Sequence, residues 1–194
     1  MRKLYLTVFL AAAVLSTNSF AQNFGIGGGL STIQGPDSYD DDLGMSGGYH
    51  LGAKLKLSIP LFPLTPVGSV TYSQFSGDQS TPLGNIETSQ SIWSIGAGVE
   101  YSLVPGPLAP YLAADLEYNN FGDLSIEGAN LPISIGGTGS RSRFGIALGV
   151  GAEFTLLPVI GLDASIKYHM MNMIGKESGE ETVSVITYNL TVLL

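Results

Sequence analysis

Two histidines, His50 and His169, are the side chains best suited to carry chemistry, because the chain has no cysteine. Without thiols there is no disulfide, no thiolate metal site and no cysteine nucleophile. Both histidines fall on the polar face of an alternating pattern, but on different candidate strands, where polar side chains ordinarily complete hydrogen-bond networks; no metal is expected. Ser165 and His169 share a strand face, yet four residues along a strand span roughly 12 Å or more, too far for a nucleophile and its base. Ser46 and His50 fail in the same way. The glycine clusters Gly27-Gly28-Gly29 and Gly149-Val150-Gly151 are not followed by Lys-Ser/Thr or by a helical pattern, so they are not phosphate cradles. The Asp40-Asp41-Asp42 run lacks the alternating ligands of a calcium loop and reads as a solvated acidic loop. No enzyme chemistry, no cofactor and no nucleic-acid partner is expected.

The chemistry that remains is that of paired charges, and it depends on the strands that would hold them. Successive strand side chains point to opposite faces, so parity sorts them. The fourth candidate strand sets Trp93, Ile95, Ala97, Val99 and Tyr101 against Ser94, Gly96, Gly98, Glu100 and Ser102. Tyr49 to Ile59, Tyr111 to Asn119, Arg143 to Phe154 and Leu162 to Met170 alternate in the same way. A first strand carries Phe24, Ile26, Gly28 and Leu30 on its apolar face. A third, from Val67 to Ser76, loses the alternation at Phe75, and a last runs from about Thr182 to Leu194. The count is eight. Short proline-bearing links, Pro60 to Pro66, Leu103 to Ala109 and Thr155 to Pro158, alternate with longer polar ones, Ile33 to Ser46, Gly77 to Gln90, Gly122 to Ser140 and Asn172 to Glu181.

Residues 1–21 read as a cleaved signal peptide. Arg2 and Lys3 precede an apolar run from Leu4 to Leu15, and Ser19-Phe20-Ala21 closes it with a small residue. Residues 22–194 then form one domain. The chain is 44% hydrophobic and 12% charged, and it has no apolar run of about 18 residues that a helical span would require. An exported, apolar, helix-poor chain satisfies its backbone in lipid only as a closed barrel. Parity places Lys54, Lys56, Glu100, Asp115, Glu117, Arg143, Glu153, Asp163 and Lys167 inward, with Arg141 at a rim and no charge on the apolar face. Eleven further acids, including Asp37, Asp78, Glu87, Asp123, Glu127, Glu177, Glu180 and Glu181, fall in the long links. A soluble ligand-carrying barrel puts its apolar side chains toward the cavity; this pattern is the reverse and indicates lipid outside. Eight strands leave a lumen just wide enough for side chains, and buried charge must be paired, so a plugged lumen is expected. Tyr49, Trp93, Tyr101, Tyr118, Phe144, Phe154 and Tyr168 lie toward strand ends, where they suit interfacial girdles.

Three stretches carry a likeness to a known family: Ala109-Pro110-Tyr111-Leu112-Ala113-Ala114, the glycine-rich Phe144 to Phe154, and Gly161-Leu162-Asp163-Ala164-Ser165-Ile166-Lys167-Tyr168. The chain resembles the eight-stranded outer-membrane barrels of the OmpA and OmpX type, the β-barrel domain of the porin family. That resemblance implies an all-β, antiparallel up-and-down transmembrane β-barrel in the outer membrane and cell envelope, with external loops and periplasmic termini. It also implies recognition of the C-terminal strand by the barrel-assembly machinery, although the alternation from Ile186 ends on Leu194 and not on an aromatic. The expected role is a membrane scaffold whose acidic loops meet a surface ligand. A narrow or gated channel is the alternative, and a lipid-modifying enzyme the third.

Overall fold

The computed structural model describes residues 21–35, 45–58, 63–81, 84–128, 141–157 and 160–194. The expected leader and the Asp40-Asp41-Asp42 run lie outside them. The elements are β1 (Ala21–Gly35), β2 (Gly47–Ser58), β3 (Leu64–Thr81), β4 (Gly84–Ser102), β5 (Leu108–Phe121), β6 (Ser125–Gly128), β7 (Arg141–Leu157), β8 (Ile160–Ile174) and β9 (Ser184–Leu193). Eight long strands run in the order β3-β2-β1-β9-β8-β7-β5-β4, and β3 pairs with β4 to close the ring. All the pairings are antiparallel. Closure leaves no unpaired edge, which is what lipid demands of a sheet. β6 is a short strand outside the ring, paired among the described residues with the far end of β4 alone.

The outward face is apolar throughout, with Ile26, Leu51, Ile95, Leu116, Leu148, Ile166 and Leu190 all exposed. The long link expected at Gly77–Gln90 is more structured than the sequence suggested. β3 and β4 continue through it as one hairpin, pairing Gly77↔Thr88 through Thr81↔Gly84. The third strand's alternation is also unbroken. Val67, Ser73 and Phe75 all face inward and are buried; Phe75 looked irregular because an apolar side chain occupies an inward position.

Inward apolar residues gather at the end that carries the long links. Met45, Phe75, Ile92, Phe121, Met171, Val183 and Val185 form a buried cluster across the loop-end mouth. A bulge helps to build it. Between the pairs Phe144↔Ile174 and Ile146↔Met170, β8 carries two more residues than β7, so consecutive Met171 and Asn172 are both buried.

Candidate functional site

The barrel lumen is the candidate site, and it has three levels. At the turn end, β2 presents Lys54 and Lys56 two residues apart, hence on one face. Lys54 Nζ lies 3.0 Å from Glu100 Oε1 and 2.9 Å from Asp163 Oδ2. Lys56 Nζ lies 2.8 Å from Glu100 Oε2, 2.6 Å from Glu153 Oε2 and 3.4 Å from Asp163 Oδ2. Tyr111 donates its hydroxyl to Asp163 Oδ1 at 2.6 Å, and its ring lies under both ammonium groups, 5.7 and 5.2 Å from centroid to nitrogen. The strands contributing are β2, β4, β5, β7 and β8, so the network ties the barrel across its diameter. Such pairing is what permits these charges to be buried at all. Tyr111 fits only because Gly151 stands opposite it in the register; a Cβ there would overlap the phenol ring.

The middle level is polar. Lys167 Nζ reaches Asp115 Oδ2 at 2.6 Å. His169 Nδ1 lies 3.0 Å from Glu117 Oε2, and its Nε2 lies 2.9 Å from Thr187 Oγ1. With Glu117 ionised, the imidazole donates from Nδ1 and accepts the threonine hydroxyl at Nε2. Hydroxyl, imidazole and carboxylate thus line up as in a nucleophile, base and orienter. Asn189 Nδ2 also donates to Thr187 Oγ1 at 3.0 Å, and the neighbouring backbone N–H groups are committed to the ladder. Ser31 Oγ lies 2.8 Å from His50 Nδ1. These groups surround a cavity of about 70 Å³.

Arg143 belongs to the third level, at the loop end, away from the central network in which parity alone would set it. Its Nη2 contacts Glu177 Oε1 at 3.0 Å and Glu180 Oε2 at 2.9 Å, and its Nε reaches the same Glu180 carboxylate at 3.1 Å. Both glutamates lie in the β8–β9 link. Asn172 Nδ2 adds a bond to Glu180 Oε1 at 2.9 Å, and Val183 N donates to Asn172 Oδ1 at 2.7 Å. Partial burial opposes ionisation of Glu180, but the bonds from Arg143, Asn172 and the Glu177 backbone outweigh it and hold the carboxyl at about 2.

Of the nine inward charges expected, eight therefore meet within the lumen in two groups, and Arg143 reaches instead to the loop. His50 and His169 both line the polar cavity. Sequence reasoning missed Tyr111 as a member of the ion network, Thr187 as the partner of His169, and the apolar mouth. Residue spacing along one strand cannot reveal Thr187, because the contact crosses from β8 to β9. The aromatics Tyr49, Trp93, Tyr101, Tyr118, Phe144, Phe154 and Tyr168 all point outward and are exposed. Tyr72 and Trp93 pack at 5.0 Å and Tyr118 and Phe144 at 5.3 Å between ring centroids.

The fold recurs among solved structures. Neisserial surface protein A (NspA) matches with a TM-score of 0.60 at 18% identity, covering 89% of this chain and 96% of that one. OprG, an outer membrane protein from Pseudomonas aeruginosa, gives 0.59 at 13% identity, covering 91% and 97%. Ail, the attachment invasion locus protein of Yersinia pestis, solved with the heparin analogue sucrose octasulfate, gives 0.55 at 18% identity, covering 90% and 97%. No curated protein sequence matches the chain. The family model for the outer membrane protein beta-barrel domain matches residues 6–193, and the chain belongs to that family.

Proposed function

We infer that this protein is an exported outer-membrane scaffold with a closed lumen, whose long links face outward as a recognition surface and whose chain ends lie on the periplasmic side. The observation that carries the reading is the turn-end network, in which Lys54, Lys56, Glu100, Glu153, Asp163 and Tyr111 are joined by contacts of 2.6–3.4 Å. Complete pairing across the lumen leaves the charges little reason to admit a water path. The outward aromatics then serve as interfacial girdles in the bilayer, residues 1–21 direct export, and the last strand engages the assembly machinery.

Ail is bound to a sulfated sugar in its structure. The links here carry eleven acids against few bases, so a polyanion would be repelled, and a partner with a basic surface is the complementary choice. Replacing each long link in turn with a short turn tests the role. Loss of cell-surface binding with one replacement supports it, and unchanged binding in all four ends it. The polar middle level favours a second reading, a narrow channel for small solutes. That reading needs both the ion network and the apolar mouth to open together. The hydroxyl–imidazole–carboxylate row of Thr187, His169 and Glu117 is assigned here to holding strands in place, since the cavity beside it is too small for an acyl substrate.

A further inference from the structure

The middle level is a chamber and not merely packing. Its volume of about 70 Å³ is room for roughly five waters, since one water needs about 10–15 Å³. Toward the turn end it stops at the ion network. Toward the loop end it stops at the apolar cluster, and Val183 enters that cluster from the β8–β9 link. This link is folded back onto the mouth by Arg143 with Glu177 and Glu180, by Asn172, and by the backbone bond from Met171 N to Val183 O at 2.9 Å. Gly179, with φ of +87°, makes the turn that returns the chain.

The chamber wall has a definite chemistry. Hydroxyls recur along it, among them Ser69, Thr71, Ser73, Ser94, Ser165 and Thr187. The ionised side chains that line it, Lys54, Glu117 and Lys167, are each paired, with Glu100 and Asp163, His169, and Asp115 respectively. A bound solute would therefore meet hydrogen-bonding groups and no free charge. On the chamber wall, one buried polar atom awaits a partner among the described residues. His50 is 3% exposed, and its Nε2 has no hydrogen bond among the described residues. The Asn189 amide, which lines the same cavity, is engaged elsewhere, donating from Nδ2 to Thr187 Oγ1 at 3.0 Å and to Ser165 O at 3.5 Å. An unpaired imidazole nitrogen in a space that can hold a solute marks where one would bind.

We propose that the chamber is a blind site for a small, uncharged, hydrogen-bonding solute of the polyol class, held at His50 and entered from the loop end when the Arg143-latched link lifts. The site goes beyond the scaffold reading and rests on its closed turn end. It is a pocket and not a pore: the loop end is closed by the latched link and by the apolar cluster that the link completes through Val183, whereas the turn end is tied by ion pairs and a hydroxyl from five strands.

The absence of native cysteine makes thiol labelling a clean test. Ser73→Cys places a thiol on the chamber wall; Ser69→Cys serves if that variant does not fold, and folding is confirmed by heat-modifiable gel migration. In intact cells, external methyl methanethiosulfonate should label the thiol slowly. Labelling should be about tenfold or more faster with Arg143→Gln or Glu180→Gln, the change expected on losing a charge-assisted hydrogen bond. Glycerol should slow labelling where sucrose does not, and His50→Leu should remove that protection. A folded barrel whose thiol stays unreactive with the latch removed, or labels equally fast with and without it, overturns the entry route. Equal effects of glycerol and sucrose, or glycerol protection that survives His50→Leu, overturn the solute site. Stable conductance of the unaltered barrel would instead end the closed-lumen reading, so the two failures are separable.

Discussion

Lys56 is the ligation point of the turn-end network, and replacing it with methionine is the sharpest perturbation of the lumen. When ionised, the cluster of Lys54, Lys56, Glu100, Glu153 and Asp163 holds two cations and three anions. Lys56→Met leaves one cation against three anions and removes the sole ammonium contact of Glu153 among the described residues, at 2.6 Å, together with the 2.8 Å contact to Glu100 Oε2. Both Lys56 and Glu100 are almost fully buried, so solvent does little to screen the loss. Breaking a buried pair by removing one partner costs about 3–5 kcal/mol. Asp163→Asn should cost less, about 1–3 kcal/mol, because the amide keeps the shape and an acceptor for Tyr111, and the remaining charges balance. Urea unfolding of the barrel in lipid vesicles, followed by gel migration of unboiled samples, measures both. The ordering is the test. Stability of Lys56→Met within about 0.5 kcal/mol of the parent, the usual range for surface changes, would mean that the ammonium is solvated, and the reasoning from burial would fail.

Three further outcomes are expected. Leu116→Arg puts a cation mid-strand on the outward face, next to Ala97 and Ile146 in the register; it should cost about 2–4 kcal/mol of folding into bilayers, read from folded yield, whereas Leu116→Ile should be near neutral. The folded Glu180 carboxyl titrates at about 2 against an ordinary value of 4.5, so its contribution is complete above 4.5 and is lost as the pH falls toward 2. Carbon NMR titration of Glu180 should show that low midpoint, and Arg143→Gln should raise it. Gly151→Val should push the Tyr111 ring off Asp163 and lower folded yield sharply, while Gly151→Val paired with Tyr111→Ala should recover part of it.

The ring of eight strands was legible because lipid outside and a packed lumen inside impose strict parity, and parity can be read directly from residue class. Trp93 to Ser102 and Phe144 to Phe154 show it with no exception. Parity stops being informative where both faces carry apolar side chains. Phe75, Ile92 and Phe121 face inward beneath the loop-end mouth, so a sequence reading sees an irregularity where the strand is regular. Bulges hide in the same way: Met171 and Asn172 are consecutive and both buried, which no alternation predicts. Membership of the lumen network follows from inward parity, but the partners do not, because they depend on strand stagger. Arg143 has the right parity, yet its height on β7 gives it to Glu177 and Glu180. Tyr111 lies on the same face as Asp115 and Glu117 and carries no formal charge, so nothing in its residue class marked it as the group that fills the lumen between the lysines.

Planar-bilayer recording of the purified, refolded protein tests the closed lumen most directly. With the turn-end ion network and the loop-end apolar cluster both in place, the membrane should stay silent, with no stable conductance steps. Sustained, large single-channel conductance from protein shown to be folded on the same gel would contradict it.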